Sequence, residues 1–393
     1  MKNTTGQIVT GKDFFGRIKE VKEGWELIVE GKSIILADSR RVGKSSFAHK
    51  IREIAEKEKW NYVFCNMQRC EDEKSLYDKF IAELEKNRKY KNIGKKWKLE
   101  EIELSPQVLG NGIGSIKWAR QHRSDNIYSN LEKILDHSKD TLIVLDELVI
   151  FLNSLKGENN ENLKDAIIFL NWLESVRNVS ESKIRWILCS SLSIDKFLSD
   201  HKIKGKMKGM HRFPIGELKG DEPAGLIKAL ATSKGLHFPQ ESIQYMLDKL
   251  GWHLPYFIQL LFLKLPKFDL KTNHIISTET IEEAYQNILT EAEKQNHFIT
   301  WIEHLDTYSE DEKKCAHIIL EALSKQEKGS SKNILELLIL NTLKGKEDFE
   351  KTLENILEKL EQGGYIIENK NEKKHLFRSP LLRDFWFNKF VKK

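Results

Sequence analysis

Four short apolar runs punctuate the first half of the chain: residues 33–37 "SIILA", 61–66 "NYVFCN", 141–145 "TLIVL" and 184–191 "IRWILCSS". Runs this short, bounded by polar segments, predict strands buried on both faces of a sheet. Residues 44–58, 72–87, 126–137 and 160–177 repeat apolar positions at three and four, the period of a helix with one buried stripe. Strands alternating with helices of this length predict an α/β layer fold with parallel strands. Between them, "ELSPQVLGNGIGSIKWARQ" carries Pro106, Gly110, Gly112 and Gly114. Its "GNGIG" follows no buried strand and opens no helix, so it predicts a loop or hairpin rather than a dinucleotide turn.

Past Phe213 the strand signals stop, and residues 220–264 and 278–305 read as helical. From Ser309 three more helices are predicted, over 310–324, 331–343 and 347–362, followed by "GGYIIENKNEKKHLF". That tail is two β runs around an Asn-rich turn, opened by Gly363 and Gly364. Three helices and a β-hairpin are the layout of a winged helix. The expected domains are 1–213, 214–305 and 306–393, with no internal repeat.

Composition narrows the class without naming it. With 393 residues, 40% of them apolar, the chain can build two or three cored domains. Its 64 Lys plus Arg against 59 Asp plus Glu is too even a balance to declare a nucleic-acid binder. Cys65, Cys70, Cys189 and Cys315 form no C-x-x-C, so neither a zinc cage nor a disulfide framework is expected. The N-terminal stretch "MKNTTGQIVTGKDFFGR" lacks an apolar h-region, so export is not expected. The longest apolar run, "YFIQLLFLKL", is broken by Gln259 and Lys264 and falls short of the ~20 residues a bilayer requires. A cytoplasmic protein without a membrane span is expected.

The candidate chemistry begins at "DSRRVGKSS", Asp38, Ser39, Arg40, Arg41, Val42, Gly43, Lys44, Ser45 and Ser46, set between a strand run and a helical one. In a phosphate-binding loop the backbone N–H groups curl round phosphates, a lysine reaches the β/γ oxygens and a hydroxyl binds Mg²⁺. Gly43, Lys44 and Ser45 fill its last three positions, and the helix that follows adds its positive N-terminal end. Downstream, "TLIVLDEL" ends a buried strand in Asp146 and Glu147. A strand's carboxyl end places the first acid where Mg²⁺ is held and the second where it can polarise water. Ser190 and Ser191 end another strand, where a small polar group can reach a γ-phosphate or the attacking water. Arg177 closes the preceding helix and is a candidate arginine finger toward a neighbour's phosphate.

These motifs, with "FFGRIKEVKEGWELI", "PIGELKGDEPAGLI" and "GWHLPYFIQLLF" in this order and a winged helix after them, resemble the archaeal-type AAA+/STAND ATPases. The resemblance implies an α/β P-loop NTPase, a parallel sheet between helices, with an all-α lid and a C-terminal winged-helix domain. It implies ATP and Mg²⁺ as cofactors, Phe15, Gly16 and Arg17 beside the adenine, and the Gly251 to Pro255 turn of the lid facing the nucleotide. Asp38 and Ser39 stand where the family has Gly or Ala and then Pro. An acid beside the polyphosphate repels it by about 1 kcal/mol at surface dielectric. The expectation is therefore ATP binding with slow or partner-dependent hydrolysis.

Two basic stretches remain. "HKIKGKMKGMHR" reads as a solvated loop or a phosphate grip. Lys370, Lys373, Lys374 and His375 decorate the wing, with Arg378, Arg383, Lys389, Lys392 and Lys393 beyond it. The expected recognition helix, "KEDFEKTLENILEKLEQ", holds more acids than lysines and suits a protein partner better than DNA. The leading expectation is an ATP-dependent switch whose winged helix controls a protein partner, self-association or double-stranded DNA. Its competitors are a DNA-binding regulator with structural ATP, and a non-enzymatic interaction subunit of a toxin, defence or mobile-element module.

Overall fold

The structure, a computed structural model, describes residues 1–86, 127–157, 160–190, 193–266, 274–295, 297–340, 342 and 349–392. The expected "GNGIG" hairpin lies outside these residues, as does Ser191. By packing, the chain divides into two compact units. One holds residues 18–38 and 44–215; the other holds 1–17, 39–43 and 216–393.

The first unit is the α/β layer that the hydrophobic pattern predicts. Its strands β1 (Ile34–Ala37), β2 (Asn61–Asn66), β3 (Thr141–Asp146), β4 (Ile184–Ser190) and β5 (His211–Arg212) form one sheet in the order β2-β3-β4-β1-β5. Every pair is parallel. The period of two along a strand divides the core between the two faces. Ile34, Leu36, Leu142, Val144, Ile187 and Cys189 pack with Ile28 of helix α1 (Ile18–Val29) and with Phe47 and Ile51 of α2 (Lys44–Lys57). Ile35, Val63, Ile143, Leu145, Trp186 and Leu188 pack on the other face against α3 (Glu73–Glu85), α4 (Leu148–Lys156) and α5 (Leu163–Arg177). The α1–α2 crossing is close because Gly24 lacks a Cβ, which would stand 2.8 Å from the Phe47 ring.

Because all strands run the same way, their carboxyl ends share one edge. Ala37 is level with Ser190, and Asn66 with Asp146. The 38–43 loop leaves β1 at this edge, and Glu147 leaves β3 there.

The second unit is mostly helical around one continuous core that includes Trp252, Phe257, Trp301, Tyr365 and Trp386. Two short strands interrupt the segment expected to be purely helical: β6 (Leu236–His237) and β7 (His274–Ile275) pair over two residues each. They are too short for hydrophobic periodicity to register. Toward the C-terminus come helices at Glu310–Ser324, Lys332–Ile339 and Phe349–Gln362, then the antiparallel strands β9 (Ile366–Asn369) and β10 (Lys374–Phe377). A further strand, β8 (Ser330–Ser331), pairs with β10 and makes a three-stranded sheet of order β8-β10-β9. Ser379 Oγ donates to the Leu250 carbonyl (2.8 Å) and Tyr285 Oη to Asp384 (2.8 Å), tying the C-terminal helix to earlier ones. Among the described residues no helix is long and apolar enough to cross a membrane.

Candidate functional site

In the α/β unit the carboxyl edge of the sheet gathers Lys44, Ser45, Asp146 and Glu147. Lys44 opens α2 and is buried; its Nζ donates to the Asp38 carbonyl oxygen at 2.6 Å. Ser45 Oγ donates to Asp146 Oδ2 at 2.7 Å, across 101 positions of sequence. Asp146 is 2% exposed, so desolvation pushes its carboxyl pKa up, while the Ser45 hydrogen bond and the Lys44 charge pull it back. Burial also holds the Lys44 pKa below its ordinary value, opposed by the charges of Glu147, Asp38 and Asp146. One buried cation among acids at a helix N-terminus gives a charged, water-poor edge.

Glu147 follows Asp146 at φ 62°, ψ 42°, a left-handed conformation that few non-glycine residues adopt. This abrupt turn ends the strand and starts α4 at Leu148, so the second acid does not continue along β3. Such strained positions concentrate at functional sites. Ser190 is buried at the end of β4, beside Ala37. Asn66 ends β2 level with Asp146; a lone Asn at a strand end carries no motif, and only register reveals it.

Asp38 differs from the expectation of an acid aimed at phosphate. Its Oδ2 accepts the Ile215 N–H at 2.6 Å, just beyond β5, so the carboxylate caps a neighbouring strand's exit. The structure does not bring Arg177 to Lys44. Arg177 ends α5 ahead of β4, at the edge where strands begin, and its pKa is lowered by partial burial. Within the basic 201–212 loop, Lys206 pairs with Glu174 (3.3 Å) and Arg212 Nε with Asp195 (3.0 Å), while Lys202, Lys204 and Lys208 are exposed.

In the other unit, residues 39–43 of the loop are tightly held. Ser39 Oγ donates to the Gln362 carbonyl (3.0 Å), the Arg41 guanidinium lies 4.6 Å from the Tyr256 ring centroid, and Val42 is in the hydrophobic core. Arg17 is buried; its Nη2 donates to the carbonyls of Val42 and Gly216, both at 2.8 Å, and its N–H donates to the Glu222 carboxylate. Gly16 takes φ +68°, and a Cβ there would stand 3.0 Å from Glu222. Phe15 packs close to Gly225, and Pro255 opens the Pro255–Lys264 helix beside Tyr256.

The residues present fit a polyphosphate with a divalent cation. The Ser45 hydroxyl and Asp146 carboxylate are hard oxygen donors of the kind Mg²⁺ shares with phosphates. Among the described residues no group of three or more His, Cys, Asp or Glu could hold a metal.

No family model and no curated relative matches the chain. Among solved structures it is similar to a Walker-type ATPase of Pyrococcus abyssi, with a TM-score of 0.60 at 16% identity over 98% of this chain and 99% of that one. It is also similar to the ORC2 protein of Aeropyrum pernix in ADPNP–ADP complexes, with a TM-score of 0.54 at 11% identity over 96% of each chain. At such identities the likeness is one of fold. Together with the five parallel strands it makes this chain a P-loop NTPase fold.

Proposed function

We propose that this protein is an ATP-binding, slowly hydrolysing switch of the AAA+/STAND type. The observation that carries the reading is the junction of buried Lys44 with the Ser45–Asp146 pair, and with Glu147 turned out of the strand beside it. Lys44 would bind the β and γ oxygens and Glu147 would orient the attacking water. Magnesium held with Ser45 and Asp146 would supply charge neutralisation on the phosphates. Adenine is the base this reading assigns, supported by the fold's likeness to a protein described with ADPNP and ADP.

Ser190 is the γ-phosphate side of this reading, with Ser191 the sequence's other candidate for that role, and Arg177, at the edge where strands begin, is a group for a neighbouring copy's phosphate. Phe15 and Pro255 take the adenine side. The three helices and hairpin after residue 309 are read as a winged helix that passes the nucleotide state to a DNA or protein partner. The acidic face of helix Phe349–Gln362 favours protein.

The test is Mg²⁺-dependent ATP binding and turnover by the wild type, Lys44→Ala and Glu147→Gln. Lys44→Ala is expected to lose binding, and Glu147→Gln to bind with turnover reduced by roughly a hundredfold or more, the scale of losing a positioned base. A wild type that neither binds nor hydrolyses ATP sinks the reading.

A further inference from the structure

Phosphate loops need an open backbone, yet the first half of this one is secured residue by residue. Ser39 is 8% exposed and donates to the carbonyl of Gln362, the last residue of helix Phe349–Gln362. Two residues on, Gly364 takes φ +79°, and a Cβ there would lie 3.0 Å from Ser39 Oγ and 2.6 Å from the Trp252 ring. The close approach thus requires glycine on both counts, conformation and space. Arg41 rests on Tyr256, and the charge of Arg40 is near enough to His304 and Tyr365 to affect both their pKa values. Val42 is 1% exposed, and its carbonyl is taken by Arg17.

We propose that the 362–364 turn is a positioning device for the phosphate loop, with Ser39 and Gly364 as its contact. It holds residues 39–43, the first half of the loop, in one conformation. The ordering of the loop is then prepaid, which raises nucleotide affinity without any contact to the ligand. Linkage makes the effect reciprocal: bound nucleotide stabilises the turn and the β9–β10 hairpin that Gly363 and Gly364 introduce. The proposal rests on the ATP-binding reading of Lys44 and Ser45.

The experiment uses the full chain and a fluorescent ATP analogue with Mg²⁺, paired with hydrogen exchange over residues 362–377. Ser39→Ala removes a small hydroxyl and is expected to weaken binding roughly three- to tenfold, the worth of one hydrogen bond. Saturating ATP is expected to slow exchange at 364–369 in the wild type and to lose that effect in Ser39→Ala. A merely structural serine would not change this nucleotide-dependent difference. Gly364→Ala, which pushes on Ser39 and Trp252, should act in the same direction. Equal affinity and equal protection in wild type and Ser39→Ala would overturn the proposal while leaving ATP binding intact. A wild type that binds no ATP would instead remove the reading beneath it, so the two failures are told apart by the wild type alone.

Discussion

Asp38 places a carboxylate at the start of the loop that leaves β1, and its Oδ2 accepts the N–H of buried Ile215 at 2.6 Å. Removing the acid leaves a buried donor without this acceptor, the costly half of hydrogen-bond bookkeeping. Asp38→Ala is expected to lower unfolding free energy by about 1.5–3 kcal/mol in urea titrations. Asp38→Asn keeps an oxygen acceptor and should lose less than half of that. A stable Asp38→Ala would show that the Ile215 contact contributes nothing. Nucleotide affinity of the Asn variant measures the charge by itself, because the capping bond persists. The sequence shows an acid at an unusual place; which way the carboxylate turns depends on β5, which lies far along the chain.

Elements differ in how plainly the chain announces them. The Asp72 to Ser75 capping box opens α3, and the Ser309 to Glu312 box opens the Glu310–Ser324 helix, so local side chains mark both starts. Glu312 then gains what no local pattern encodes: Lys359 Nζ at 2.6 Å and Asn355 Nδ2 at 2.9 Å. Helix α4 follows the Asp146–Glu147 pair directly, and the apolar "LVIFL" at its start masks its period. The short strand β8 is two serines, which no propensity flags. Its entry turn depends on Gly329 at φ +69°, where a Cβ would fall 2.2 Å from the His375 carbonyl oxygen. Gly329→Ala is expected to cost about 3 kcal/mol or more, since backbone cannot yield as a side chain can. Calorimetry should show a lowered transition; an unchanged one would mean that the β8–β10 pairing shifts without cost.

For the whole molecule, two histidines kept neutral by burial set an acid limit on stability. Desolvation holds the His304 pKa down to about 3, with Arg40 and Lys359 adding repulsion, and His49 to about 4, against an ordinary 6.5. Below 6.5 the unfolded chain takes up protons that the folded chain refuses, so stability falls as pH drops from 6.5 toward 4 and 3. The contribution is fully present above that upper value. His304 Nδ1 lies 3.2 Å from Tyr365 Oη, and His49 stacks on Phe64 at 3.8 Å. Chemical denaturation at stepped pH should show the slope, and His304→Gln should flatten part of it. An identical slope in that variant would place the acid sensitivity elsewhere.

The chain alone determined the layered α/β half, the strand before the loop and the helix after it, and the residue types Lys44, Ser45, Asp146 and Glu147. Each of these is encoded within a few neighbouring positions, where periodicity and capping act. Tertiary structure alone decided that Ser45 meets Asp146, that Asp38 turns to Ile215, that Arg17 clamps Val42, and that Ser39 meets Gln362 across 323 positions. Such pairings follow from strand order and chain closure, which bring distant backbone together only after many weak local preferences have been satisfied at once.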